Sequence, residues 1–191
     1  MTTQVQTNRV FPGMICQATE FLVMNDEVKV LNNGKLLPFS DVSHDTLALL
    51  EDAINADPEV KNLLLKIHPE SQFKRIEEFV KCRFGGLDFE GDIVDGNLQE
   101  GEYWECPERG QCANEGILCK LPKYNNKRLK APEIPLIKLL CTDATNEAIA
   151  DKLSLPMGSF HKAKKHLYQK LNVQTKQEIV IIAISLNLIQ W

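Results

Sequence analysis

The stretch Asn146–Leu171, NEAIADKLSLPMGSFHKAKKHLYQKL, decides how the C-terminal third is built. Asn146 to Leu153 reads as a short helix, with Ile149 and Leu153 inward and the small Ala148 and Ala150 beside them. A turn follows at Ser154-Leu155-Pro156, and proline suits the opening of a second helix. That helix runs through Ser159 to Leu171. Phe160, Ala163, Leu167 and Leu171 recur every three to four residues and define its inner face. His161, Lys162, Lys165 and Gln169 lie opposite, with Lys164 and Tyr168 flanking. Asn172-Val173 ends it. Thr175 then caps a last helix carrying Ile179, Ile182, Ala183, Leu186 and Ile189. Two short helices joined tightly, the second basic outside, form the layout that sets a helix in the DNA major groove, where lysines neutralise phosphates. An ordinary helical bundle with a solvated lysine face shares that pattern.

The charge distribution is open to both of these, since charge asymmetry is common in two-part chains. The 191 residues carry a net charge of −4. Residues 1–119 hold 10 Lys+Arg against 21 Asp+Glu, a net −11, whereas residues 120–191 hold 12 against 5, a net +7. A basic third behind an acidic body fits contact with a polyanion. Hydrophobic content of 43% and charged content of 25% are those of a globular chain. No apolar run reaches the roughly 18–20 residues that a membrane span needs, and the first residues show no basic-then-apolar signal. The expected location is the cytoplasm, with no membrane partner.

Upstream, MICQATEFLVM (14–24) and EVKVLNNGKLLPF (27–39) read as strands or short helices around an Asn32-Asn33-Gly34 turn. Three helices should follow. Ser43 caps the first, with Leu47, Leu50 and Ile54; Asp57-Pro58 opens the second, with Val60, Leu63, Leu64 and Ile67; the third carries Phe73, Ile76, Phe79 and Val80. Residues 82–119 then turn glycine-rich and irregular, and such a stretch needs its own source of order.

Four cysteines could supply it. Cys82, Cys106, Cys112 and Cys119 are separated by 23, 5 and 6 residues, while Cys16 and Cys141 sit in apolar surroundings as ordinary buried thiols. Thiols stay reduced in a cytoplasm, so a cluster there suggests a metal more than disulfides. Arg83, Arg109 and Lys120 adjoin three of the four and favour thiolates. Structural zinc usually shows one close pair, which is absent here, and wider gaps also suit iron–sulfur clusters. The expectation is a four-cysteine site for Zn2+, with an iron–sulfur cluster or no metal as alternatives. Tyr103, Trp104, Phe84 and Phe89 would pack around it or form a small satellite core. The acids Asp88, Glu90, Asp92 and Asp95 lack the bidentate glutamate that closes a calcium loop and read as a solvated turn.

Leu129 to Ile184 resembles the C-terminal DNA-binding domain of the LuxR family. The resemblance lies in Lys138-Leu139-Leu140, in Ala144-Thr145-Asn146-Glu147-Ala148-Ile149-Ala150-Asp151-Lys152-Leu153, in Ser159-Phe160 and in Leu167-Tyr168-Gln169-Lys170-Leu171-Asn172-Val173. The family's charged opening reads Pro132-Glu133-Ile134-Pro135 here, and its usual glycine is Asp143. The resemblance implies that the helix starting near Ser159 enters the major groove, with Ser159, His161, Lys162 and Lys165 as DNA contacts. Thr145 and Asn146 would open the preceding helix beside the backbone. The last helix, Glu178–Ile189, would make a homodimer contact.

The expected molecule is therefore mainly α, with room for an α+β N-terminal part. An acidic domain at 1–120, belonging to no family we recognise, would contain the cysteine-rich segment 82–119. A basic linker at 121–130 and a four-helix LuxR-type helix-turn-helix at 131–191 would follow. Its expected function is a transcriptional regulator binding double-stranded DNA. The alternative is an interaction module whose helix-turn-helix no longer binds DNA. An enzyme is not expected: His44 and His68 stand apart, and no phosphate loop, GxSxG or zinc-protease signature occurs.

Overall fold

The computed structural model describes residues 10–88 and 90–189. Two compact units divide the chain. One is Met1–Gly101 with Glu105–Leu118; the other is Glu102–Trp104 with Cys119–Trp191.

The first unit is α+β, which corrects the mainly α expectation. Strands β1 (Thr19–Met24), β2 (Glu27–Asn32), β3 (Lys35–Pro38), β4 (Ile93–Val94) and β5 (Asn97–Leu98) form one antiparallel sheet in the order β3-β2-β1-β4-β5. The cause is turn chemistry. Asn25-Asp26, Asn33-Gly34 and Asp95-Gly96 each take positive φ at both residues, the type I′ geometry that matches strand twist in two-residue hairpins. Asparagine, aspartate and glycine reach that region cheaply. β4 and β5 have two residues each, too short to show alternation in a sequence.

Register sorts the faces. Phe21 pairs with Val30 and Val23 with Val28, so all four share one face. Helices α1 (His44–Asn55), α2 (Pro58–Ile67) and α3 (Gln72–Arg83) pack their apolar stripes into the core these residues enter, with Leu50, Ile54, Val60, Leu64, Ile76, Phe79 and Val80 buried. Ser43, Asp57 and Ser71 cap the three helices by accepting from Thr46 N, Val60 N and Lys74 N. Phe21 touches both Phe39 and Phe84, at 6.1 and 6.2 Å between ring centroids.

The second unit holds a β6 (Lys123–Tyr124) and β7 (Lys127–Arg128) hairpin, then α4 (Glu133–Leu140), α5 (Asn146–Lys152), α6 (Met157–Leu171) and α7 (Lys176–Ser185). A C-terminal domain of four helices alone is thus also corrected, because the hairpin and Tyr103 belong to this unit's body. Asn125-Asn126 makes a fourth type I′ turn within residues 121–130, expected as a linker, and Leu129 beyond it is buried. Ile134, Ile137, Leu140, Ile149, Phe160, Leu167, Leu171, Ile179 and Ile182 form the core.

Three helix ends in this unit share one device. Leu155 N donates to Ala150 O, Val173 N to Tyr168 O and Leu188 N to Ala183 O, each across a left-handed residue: Ser154, Asn172 and Asn187. These are Schellman closures, and they satisfy carbonyls that a helix end leaves open. The last one stops α7 at Ser185, short of the expected Ile189. No helix among the described residues is long and apolar enough to cross a membrane.

Candidate nucleic-acid interface

The α5–α6 turn is built from its own residues. Thr145 caps α5, its hydroxyl accepting from Ala148 N at 3.3 Å. Ser154, with φ of 54°, reverses the chain, and extended Pro156 releases it into α6. Phe160, Leu167 and Leu171 then point into the core. Ser159, His161, Lys162, Lys165, His166 and Gln169 are left exposed on the outer side. Lys162, His166 and Gln169 follow Ser159 by three, seven and ten residues, so the four line one stripe.

Lysines of this unit fall into two groups. One group is used internally. Lys164 Nζ donates to Asn146 Oδ1 at 3.2 Å, Lys176 Nζ to the Ala144 carbonyl at 3.0 Å and Lys127 Nζ to the Lys170 carbonyl at 3.1 Å. Lys170 pairs with Glu133. Burial, with Lys176 nearby, holds the Lys164 ammonium below its usual range. By contrast, Lys162 and Lys165 make no hydrogen bond or ion pair among the described residues. The fold does not consume their charge.

The expected contact residues accordingly separate. Ser159, His161, Lys162 and Lys165 come together on the open side of α6. Asn146 is half-buried, and its side-chain oxygen is occupied by Lys164. Thr145 is exposed, but its hydroxyl serves the cap. Glu147 lies beside them. Its own N–H, the Thr145 hydroxyl and the nearby His161 charge hold its carboxyl below the usual range. His166 belongs to the exposed side as well and is absent from the contacts expected from sequence, although its spacing of four from Lys162 is enough to place it there. Gly158 is a further member. A Cβ there would meet nothing within 4 Å, so no close packing requires glycine at this first-turn position.

The cysteines do not assemble in the same way. Cys82, Cys106 and Cys112 belong to the first unit and Cys119 to the second. Among the described residues, the sulfurs of Cys82, Cys106 and Cys112 do not gather within 4.8 Å of one another. The Cys82 thiol instead lies 3.7 Å from Glu78 Oε1, one turn back on α3, and the Cys112 sulfur accepts from Asn114 N. Order in this segment comes from local turns. Arg109 N donates to Cys106 O and Cys112 N to Glu108 O, while Glu115 Oε2 accepts from Gly110 N at 2.6 Å. Buried Leu118 and the Arg83 guanidinium on the Leu118 and Ile117 carbonyls anchor its end. Cys16 is exposed and Cys141 half-buried, although both are expected as buried thiols.

The acidic run around Asp88 also differs from expectation. Asp92 is buried, and its Oδ2 accepts from Phe21 N at 2.7 Å, standing in for a strand carbonyl along the β1 edge.

No protein-family model, no curated protein and no solved structure matches the chain significantly, so the likeness to the LuxR family stands on the residues quoted above.

Proposed function

We propose that the second unit binds double-stranded DNA through the exposed side of α6, and that the chain acts as a transcriptional regulator. The observation that carries this reading is the pair Lys162 and Lys165, exposed and uncommitted while Lys127, Lys164, Lys170 and Lys176 are engaged within the unit. In this reading the lysines meet phosphates, and Ser159 and His161, one turn from the helix start, reach base edges. Gly158 supports it, since a bare backbone at that point lets a phosphate approach the first-turn N–H groups.

A second copy of the chain would dock on α7. Ile179, Ile182 and Ala183 fill the core, and Ile181 on the other side is 67% exposed, with Val180 and Ile184 half-buried beside it. No charged residue occurs between Glu178 and Ser185. Pairing two α7 helices would bury this face and present two α6 helices to one duplex.

Fluorescence anisotropy of the full chain with a mixed-sequence duplex tests the reading. Binding should weaken steeply between about 50 and 200 mM salt, as phosphate contacts require. A folded chain with no detectable binding at low salt would leave the interaction-module alternative.

A further inference from the structure

Residues 120–130 hold Lys120, Lys123, Lys127, Arg128 and Lys130 and no acid. In the sequence this run reads as a solvated basic linker. In the fold it is the β6–β7 hairpin, and it belongs to the same unit as α6. Asn125 and Asn126 turn it at φ of 47° and 60°, and Leu129 N donates to Pro122 O at 2.8 Å. Leu121, Tyr124 and Leu129 pack into the core of the unit. Asn125, Asn126, Lys127, Arg128 and Lys130 are left exposed. Cations crowded on a fixed element repel one another, and a polyanion relieves that repulsion.

The end of α6 sets where the hairpin stands. Lys127 Nζ donates to the Lys170 carbonyl at 3.1 Å. Glu133 Oε2 accepts from both Lys130 N and Lys170 Nζ, which ties the exit of the hairpin to the same turn of α6. The exposed stripe of Ser159, Lys162, His166 and Gln169 therefore runs into the hairpin, because Gln169 is the residue before Lys170. These ties leave charge unspent. Arg128 uses only Nη1, on the Leu121 carbonyl, and the Lys130 ammonium makes no hydrogen bond or ion pair among the described residues.

At roughly 1.5 Å per residue, Lys170 lies about 16 Å beyond Ser159 along α6. A straight helix whose first turn sits at base edges leaves the curving major groove over such a length, so its far end faces the phosphate strand that borders the groove. We propose that the β6–β7 hairpin is a second contact to duplex DNA, in which Arg128 and Lys130 hold phosphates flanking the groove that α6 enters. The exposed side-chain amides of Asn125 and Asn126 at the tip are further donors to the same backbone. This inference rests on the DNA-binding reading of α6 and adds to it a contact that is blind to sequence, because phosphates fix register and orientation without specifying bases.

Anisotropy titrations of the full chain with a mixed-sequence duplex, over a range of salt concentrations, test it. Lys130→Ala should bind about fivefold more weakly near roughly 0.15 M salt, with the slope of log affinity against log salt shallower by about 0.9. Arg128→Ala/Lys130→Ala should bind about 25-fold more weakly, with a slope shallower by about 1.8. Lys66→Ala removes an exposed lysine of α2 in the first unit and should leave the slope unchanged. If the double variant does not fold, because Arg128 also braces the hairpin through Leu121, Lys130→Ala decides alone. Wild-type affinity and slope in folded Lys130→Ala overturn the hairpin contact and leave α6 in place. An equal loss in Lys66→Ala overturns it as well, because the effect then belongs to overall charge. A wild type that binds no duplex at low salt overturns the hairpin contact and the α6 reading together.

Discussion

Replacing Lys162 and Lys165 together with alanine separates a charge that serves the fold from one that serves a ligand. Neither lysine has an internal partner among the described residues, so the folded unit should lose almost nothing, within about 0.5 kcal/mol for exposed positions. On DNA the loss is larger. Each phosphate contact contributes about 0.9 to the slope of log affinity against log salt. At roughly 0.15 M salt this corresponds to about fivefold in affinity, or about 1 kcal/mol per lysine. The double variant should bind about 25-fold more weakly, with a slope shallower by about 1.8. Lys170→Ala is the counterpart. It removes the partner of half-buried Glu133 and should cost stability on the order of 1 kcal/mol with the slope unchanged. Anisotropy titrations at four or five salt concentrations, alongside urea melts, read both quantities. A double variant that keeps the wild-type slope would refute the assignment of these lysines to DNA.

Three further outcomes are expected. Ser154→Gly relieves a left-handed residue at the α5 end and should stabilise the chain by about 0.5–1 kcal/mol in urea melts, the strain relieved being partly offset by glycine's greater unfolded freedom. Glu178 closes the α7 capping box, and the Gln174 N–H, Thr175 hydroxyl and Thr175 N–H hold its carboxyl below the usual value of 4.5. That stabilisation is full above pH 4.5 and is lost as pH falls through the lowered value. Glu178→Gln should therefore flatten the acid loss of α7 amide protection, measured by hydrogen exchange. Ile181→Asp should convert a dimer to a folded monomer in sedimentation equilibrium, because the side chain is 67% exposed and its loss leaves the core intact. An unchanged sedimentation profile would remove α7 from the contact.

Legibility follows the length of each signal. Caps at Ser43, Asp57 and Thr175, with apolar residues every three to four positions, mark α1, α2 and α7 in the sequence itself. The outer side of α6 is equally readable, apart from His166. The sheet is mostly hidden, because β4 and β5 are two residues long and their evidence is the single turn Asp95-Gly96. An Asp-Gly pair inside an acidic run resembles solvated loop, yet here it brings Asp92 against β1. Glu20 is invisible for a related reason. A glutamate in a strand reads as surface, and only the distant backbone N–H groups of Asp88 and Asp92 reveal that it is enclosed.

Amide chemical-shift mapping of the full chain against a short duplex tests the DNA-binding account most directly. Shifts should concentrate on Gly158, Ser159, His161, Lys162, Lys165 and His166, with Thr145 at the border. Perturbations confined to α7 or to the β1–β5 sheet, with α6 silent, would contradict it.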